Sequence, residues 1–295
     1  MTYLIVGATG FAGTEVCRLL RDAGHQVRAL VRSSSMVEKV ARLEQMGASI
    51  VTGDVKDRSS LDRACRQAGV VVSTASSTLS RQPGDSIATV DQQGQLDLVD
   101  AAESAGVSRF VYVSFPPVAI DFPLQSAKRA VEERLRESGM SYTILQPTFF
   151  TEVWLGPALG FDVAGGNARI YGAGEHRVSW ISFHDVARFA AAAATAGEAK
   201  IGAFALGGPD ALSPLEAVRL AEQTTGRPFL VEHVPEEALR MQYDRAVDPL
   251  EKSFAGLMLY CAGGDVIDSG PALHAFGVGT LKSVREYLVA MASVV

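Results

Sequence analysis

The chain has 295 residues, 47% hydrophobic and 20% charged, with 27 Lys and Arg against 33 Asp and Glu and a formal net charge of −6. That composition belongs to a globular protein with a full-sized core, excludes a largely disordered chain, and argues against a surface built to neutralise many nucleic-acid phosphates. Cys17, Cys65 and Cys261 lie far apart with no CxxC, and the five histidines show no ligand spacing. The cysteines therefore read as small buried hydrophobes, and neither a disulfide framework nor a metal is expected. No run of ~18 apolar residues occurs and the N-terminus lacks a leader pattern, so the expectation is a cytoplasmic protein without a membrane span.

Six short apolar runs mark the first half: TYLIVG (2–7), QVRALV (26–31), ASIVTG (48–53), GVVVST (69–74), RFVYVS (109–114) and SYTILQ (141–146). They are rich in β-branched residues and nearly continuous, as strands buried on both faces of a parallel sheet are. Helical patterns at 11–23, 35–46, 59–67, 86–105 and 124–138 separate them. Ser35-x-x-Glu38 and Ser59-x-x-Asp62 read as helix starts, and Gly24, Gly47, Gly106 and Gly139 as stops. This alternation predicts an α/β fold with a Rossmann-type doubly wound parallel sheet. The expected division is a dinucleotide-binding domain at 1–147 and a smaller, mostly helical substrate-binding part at 148–295, with segments near 177–208 (RVSWIS and AFALGG) returning to the sheet.

The sharpest motif is VGATGFAG, where Gly7, Gly10 and Gly13 are spaced G-x-x-G-x-x-G between the first strand and first helix. Backbone N–H groups at a helix N-terminus attract a pyrophosphate, and side chains there keep it out. Gly7, Thr9, Gly10, Phe11 and Gly13 are accordingly candidate cofactor contacts. At the end of the second strand, RALVRSSS places Arg32 and Ser33 where an acidic residue selects NAD. A guanidinium there matches the 2′-phosphate of NADP(H), which is the expected cofactor in preference to NAD(H).

With GATGFAG, VTGDVKD (51–57), AAESAGVSRFVYVS (101–114), SAKRAVEERLRESG (126–139), ILQPTFF (144–150) and WISFHDVARFAAAA (180–193), the chain resembles the atypical short-chain dehydrogenases/reductases that include NmrA-like and isoflavone-reductase-like proteins. The resemblance covers most of the chain. It implies Asp54 and Val55 beside the adenine, Thr74, Ala75 and Ser76 near the nicotinamide ribose, and Pro147, Phe149 and Phe150 along the nicotinamide and substrate cleft. From the residues alone, Asp54 equally suits a helix cap and Phe149 the core.

The departure lies in the usual Tyr-x-x-x-Lys pair. Lys128 stands in the expected helix, but position 124 is leucine. Isoflavone-reductase-like proteins use a lysine followed four residues later by glutamate, a pattern that Lys128 and Glu132 match. The resemblance makes Lys128 a candidate catalytic and ribose-binding residue. The spacing by itself also fits a surface i,i+4 ion pair. Ser114, after the fifth strand, is a further candidate catalytic hydroxyl.

Two functions remain open from the sequence. One is an NADPH-dependent reductase passing hydride to a quinone, enone or aromatic carbonyl, with Phe149, Phe150, Trp154, Phe161 and Trp180 available for an apolar aromatic substrate. The other is a non-catalytic NmrA-like redox sensor that binds NADP(H) and acts through a protein partner. Nucleic acid is not expected, because no basic cluster or helix-turn-helix pattern appears.

Overall fold

The computed structural model describes residues 1–80, 82–198 and 201–293. Each apolar run of the first half forms a strand, and each intervening amphipathic segment a helix. In chain order these are β1 (Thr2–Val6), α1 (Phe11–Asp22), β2 (Gln26–Val31), α2 (Val37–Gln45), β3 (Ser49–Thr52), α3 (Arg58–Cys65) and β4 (Val70–Ser73). A π-helical segment, Ile87–Gly94, runs into α4 (Gln95–Ser104), followed by β5 (Arg109–Val113), α5 (Pro123–Glu137) and β6 (Ser141–Pro147). The second half contributes α6 (Thr151–Trp154), β7 (Phe161–Asp162), β8 (Asn167–Tyr171), β9 (Val178–Ser179), α7 (Phe183–Thr195), β10 (Gly202–Leu206), β11 (Ala211–Leu212), α8 (Pro214–Thr225) and β12 (Leu230–Val234). Four helices close the chain: α9 (Glu236–Arg245), α10 (Pro249–Gly263), α11 (Gly270–Phe276) and α12 (Val284–Ala292).

The central sheet has seven strands in the order β10-β6-β5-β4-β1-β2-β3, all parallel. The order reverses beside β1, so the connections leaving the C-terminal ends of β1 and β4 run to helices on opposite faces, the switch point at which such sheets bind ligands. Helices cover both faces. On one side α1 and α7 pack Val16, Cys17 and Leu20 with Val186, Phe189 and Ala190 against Ile5 and Val72. On the other, Leu98, Ala102, Val131 and Leu135 cover Leu4, Val71 and Phe110. All three cysteines are free and buried. Among the described residues, no helix is long and apolar enough to cross a membrane.

Several local expectations are corrected. Neither Ser35 nor Ser59 caps its helix. Ser35 Oγ instead accepts from Arg32 N at 3.1 Å, α2 begins after Met36 without a side-chain cap, and Asp57 caps α3 by accepting from Ser59 N at 3.0 Å. The single helix expected over 86–105 opens with the wider π-helical turns, capped by Ser86 and Thr89. A Cβ on Gly94 there would stand 2.8 Å from Thr89 O and 3.0 Å from Val55 O, so glycine lets this segment close against Val55. RVSWIS yields only β9, which pairs antiparallel with β11 and not with the central sheet. Trp180 turns inward and donates from Nε1 to Leu212 O at 2.8 Å, while Ser182 caps α7. Of the stretch 177–208, β10 alone enters the central sheet, against β6.

Candidate functional site

The glycine loop is shaped by backbone crowding. Gly7 has φ +84°, and a Cβ there would lie 2.8 Å from both Ala75 N and Thr74 Oγ1. A Cβ on Gly13 would lie 2.2 Å from Gly7 O, which no relaxation of a flexible side chain relieves. Gly10 is exposed at the mouth of the loop, where its missing side chain leaves the backbone approachable. Helix α1 starts at Phe11 with Gly10 as its N-cap and no side-chain cap. The turn is closed by Gly10 N donating to Gly7 O at 3.0 Å and by Thr14 Oγ1 donating to Ala8 O at 2.8 Å. An uncapped helix start with its positive dipole end, approached through bare backbone, fits a pyrophosphate. Thr9 is half-buried in this loop; Phe11 is exposed and stacks on Phe183 with centroids 5.3 Å apart.

Arg32 follows β2 at the rim of the same crevice, and Ser33 beside it is exposed. The sequence offers no nearby carboxylate, but the fold supplies one. Arg32 Nη1 donates to Asp85 Oδ2 at 2.6 Å, and Lys56 Nζ also reaches the Asp85 carboxylate. Asp54 does not cap α3. It accepts from Lys56 N at 2.9 Å and pairs with Lys56 Nζ at 3.1 Å, while Val55 is buried behind it.

The loop after β4 ties the two ends of the crevice together. Thr74 Oγ1 donates to Val6 O and Gly7 O at 3.3 and 3.4 Å, which joins it to the glycine loop. Ala75 O accepts from Gln95 Nε2 at 3.3 Å, and Ser76 Oγ lies 3.2 Å from Thr78 Oγ1. Ser77 then donates from N and Oγ to Asp91 Oδ2 at 2.9 and 2.5 Å. Asp91 is fully buried on the π-helical segment, and its other oxygen has no hydrogen-bond partner among the described residues.

That second oxygen faces Lys128 Nζ at 3.8 Å. Lys128 is 5% exposed, so the surface-pair reading of its spacing fails. Its ammonium also approaches Val113 O at 3.4 Å and lies 4.9 Å from the Tyr112 ring centroid, a cation–π contact. Glu132 carries its direct contacts elsewhere. It is buried and held by Arg129 at 2.9 Å, Arg136 at 3.2 Å and Gln146 Nε2 at 3.0 Å. Burial pushes the Lys128 ammonium below the usual lysine value; Arg129 adds to this, and Asp91 and Glu132 oppose it. Burial likewise pushes the Tyr112 phenol well up, and its hydroxyl has no hydrogen-bond partner among the described residues. Ser114 is buried at the end of β5 and is touched by Arg129, whose Nη2 donates to Ser114 Oγ at 2.9 Å and to Phe115 O at 2.6 Å.

Pro147 ends β6 opposite Leu206 of β10. Phe149 is 4% exposed and packs against Trp154, Trp180 and Tyr260 with centroids 4.6, 6.1 and 4.9 Å away, which places it in the core of the second half. Phe161 is also core, against Phe229.

Motif spacing alone does not point to Asp91, Lys56, Asp85, Arg129 or Tyr112. For Asp91 a signal exists: with Ile87, Val90, Gly94 and Leu98 it falls on the apolar stripe at i, i+3, i+4 spacing, where a carboxylate is out of place. Asp85 carries no such mark, because only the return of its loop brings it to Arg32.

A seven-stranded parallel sheet with a glycine loop at the reversal of strand order defines a dinucleotide-binding protein of the Rossmann type. A model of the NmrA-like family matches residues 1–268, and the chain belongs to that family. Among relatives, it is 32% identical over 228 residues to an NAD(P)H azoreductase from Xenophilus azovorans, covering 76% of this chain and 74% of that protein. It is 31% identical over 253 residues to the photosystem II assembly factor Ycf39 of Synechocystis, covering 81% and 72%. Among solved structures, the NADPH complex of the NADPH-dependent quinone oxidoreductase QOR2 from Escherichia coli superposes with a TM-score of 0.79 over 99% of both chains at 20% identity, a likeness of fold.

Proposed function

We propose that this protein is an NADPH-dependent reductase of small, flat acceptors such as quinones, enones or aromatic carbonyls. The observation that carries this reading is the single connected path from the glycine loop to a buried lysine. Thr74 touches Gly7, Ser77 holds Asp91, and Asp91 faces Lys128, all along one loop and one π-helical segment. When bound, the nicotinamide supplies a hydride to the acceptor.

The protein's own residues do the rest. The uncapped start of α1 with Gly7, Gly10 and Gly13 receives the pyrophosphate, and Arg32 with Lys56 meets the adenosine 2′-phosphate. Thr74, Ala75 and Ser76 would hold the nicotinamide ribose. Lys128 Nζ holds the ribose hydroxyls and delivers the proton that completes reduction, a task suited to an ammonium whose hold on its proton burial has weakened. Asp91 keeps the lysine charged and in place in a medium that disfavours charge. Ser114, oriented by Arg129, is a hydroxyl available to the acceptor.

The test is loss of nicotinamide absorbance when purified protein, NADPH and a panel of quinones and enones are mixed. Turnover is expected, and Lys128→Ala lowers it by ~10-fold or more. Tight NADPH binding without turnover on any panel member refutes the reductase. It favours instead a cofactor-binding factor acting through a protein partner, the reading to which the resemblance to an assembly factor lends weight.

A further inference from the structure

Asp85 occupies an unusual position. It closes the loop after β4, immediately before the Ser86 cap of the π-helical segment, and is 53 residues from Arg32. Its side chain is only 2% exposed, although the chain around it is a surface loop. Three donors converge on its carboxylate: Arg32 Nη1 at 2.6 Å, Lys56 Nζ and Ser80 Oγ. Burial on its own would raise this carboxyl, but the bonds from Lys56, Ser80 and Arg32 more than reverse that and hold it below the usual aspartate range. A guanidinium, an ammonium and a hydroxyl gathered on one anion are the donor set of a phosphomonoester site.

We propose that Asp85 is a specificity-determining residue, an internal carboxylate that competes with the 2′-phosphate of NADPH for Arg32 and Lys56 and so narrows the preference for NADPH over NADH. The inference rests on the reading that Arg32 and Lys56 face the 2′-phosphate.

The competition is one-sided. A 2′-phosphate brings up to two charges and three acceptor oxygens to the place where Asp85 offers one charge and two. To enter, it must displace Asp85 from both cations, and Asp85 must be rehydrated. NADH has only a 2′-hydroxyl, which leaves the Asp85 contacts standing and forces no displacement. Lys56 is further committed to Asp54 at 3.1 Å, so with Asp85 gone it still has one carboxylate partner, whereas Arg32 is left with no ion-pair partner among the described residues. The freed guanidinium is therefore the main beneficiary of removing Asp85.

The experiment is calorimetric titration of the full chain with NADPH and with NADH, for wild type, Asp85→Asn, Asp85→Ala and Arg32→Ala. The two Asp85 variants are expected to raise the ratio of NADPH to NADH affinity by ~10-fold, the gain of one uncontested charge-assisted contact. Agreement between Asn and Ala separates loss of charge from a change in loop packing, and thermal unfolding verifies that each variant is folded. An unchanged or lowered ratio in both variants overturns the proposal. If Arg32→Ala weakens NADPH selectively while the Asp85 variants leave the ratio unchanged, the 2′-phosphate reading stands and the role of Asp85 falls. If Arg32→Ala affects NADPH and NADH equally, the 2′-phosphate reading falls and this proposal with it.

Discussion

The Lys128–Asp91 pair makes a quantitative prediction about stability. Lys128→Met keeps an unbranched apolar side chain in place and removes the ammonium that lies over the Tyr112 ring. Asp91 then retains its bonds from Ser77 N and Oγ, at 2.9 and 2.5 Å, but loses the only cation within 4.0 Å of it among the described residues. Breaking a buried pair from one side costs ~3–5 kcal/mol, because a charge stays behind without compensation. The assay is urea unfolding of Lys128→Met and of the double variant Lys128→Met/Asp91→Asn at pH 7. The single variant should be less stable than the double by ~3–5 kcal/mol. Domains of this size have ~5–15 kcal/mol to lose, so both variants remain measurable. A gap below ~1 kcal/mol refutes the claim that Lys128 compensates Asp91.

Arg32→Glu should weaken NADPH by ~100-fold and NADH by less than ~3-fold, since it replaces a charge-assisted contact by repulsion at the 2′-phosphate alone; equal losses in fluorescence titration would remove Arg32 from that role. The pH–rate profile should show an alkaline limb below the ordinary lysine value of ~10.4, because activity needs the Nζ proton and burial lowers its affinity for it. The sign for stability follows from the same shift: between the lowered folded value and ~10.4 the unfolded chain binds more protons, so Lys128 opposes folding less as pH rises through that window. A profile whose alkaline limb persists in Lys128→Ala would assign the proton to another group.

The sheet was legible because its strands are buried on both faces, and a continuous β-branched run suits few environments besides such a two-sided interior. The glycine loop was legible for a related reason. The crowding at Gly7 and Gly13 is local, between residues close in the chain or on adjacent strands, so spacing alone captures it. The i,i+4 spacing of Lys128 points to Glu132, whereas the lysine turns across to the π-helical segment and Glu132 goes to Arg129 and Arg136. The inserted π-helical turns alter the helical register, and nothing in a 3.6-residue period announces them. Arg32 illustrates the opposite failure. No acid stands near it in sequence, yet a loop of 53 residues' separation supplies one, and propensity carries no information about such a return.

The passage of β10 into the central sheet bears on how such a protein is divided and recombined. Arg109 of β5 donates to the carbonyls of Ala193, Ala194 and Ala196 at the end of α7, and Thr148 N donates to Leu206 O of β10. A cut after β6 therefore strips α7 from one face of the sheet, leaves three carbonyls and a guanidinium without each other, and bares β6 as a new edge. A chimera between relatives must keep α7 and β10 with the first half and draw its replaceable parts from the insertion between β6 and α7 and from the chain after Leu206. These two stretches must be exchanged together, because β8 pairs with β12, β9 pairs with β11 and Phe149 packs on Tyr260.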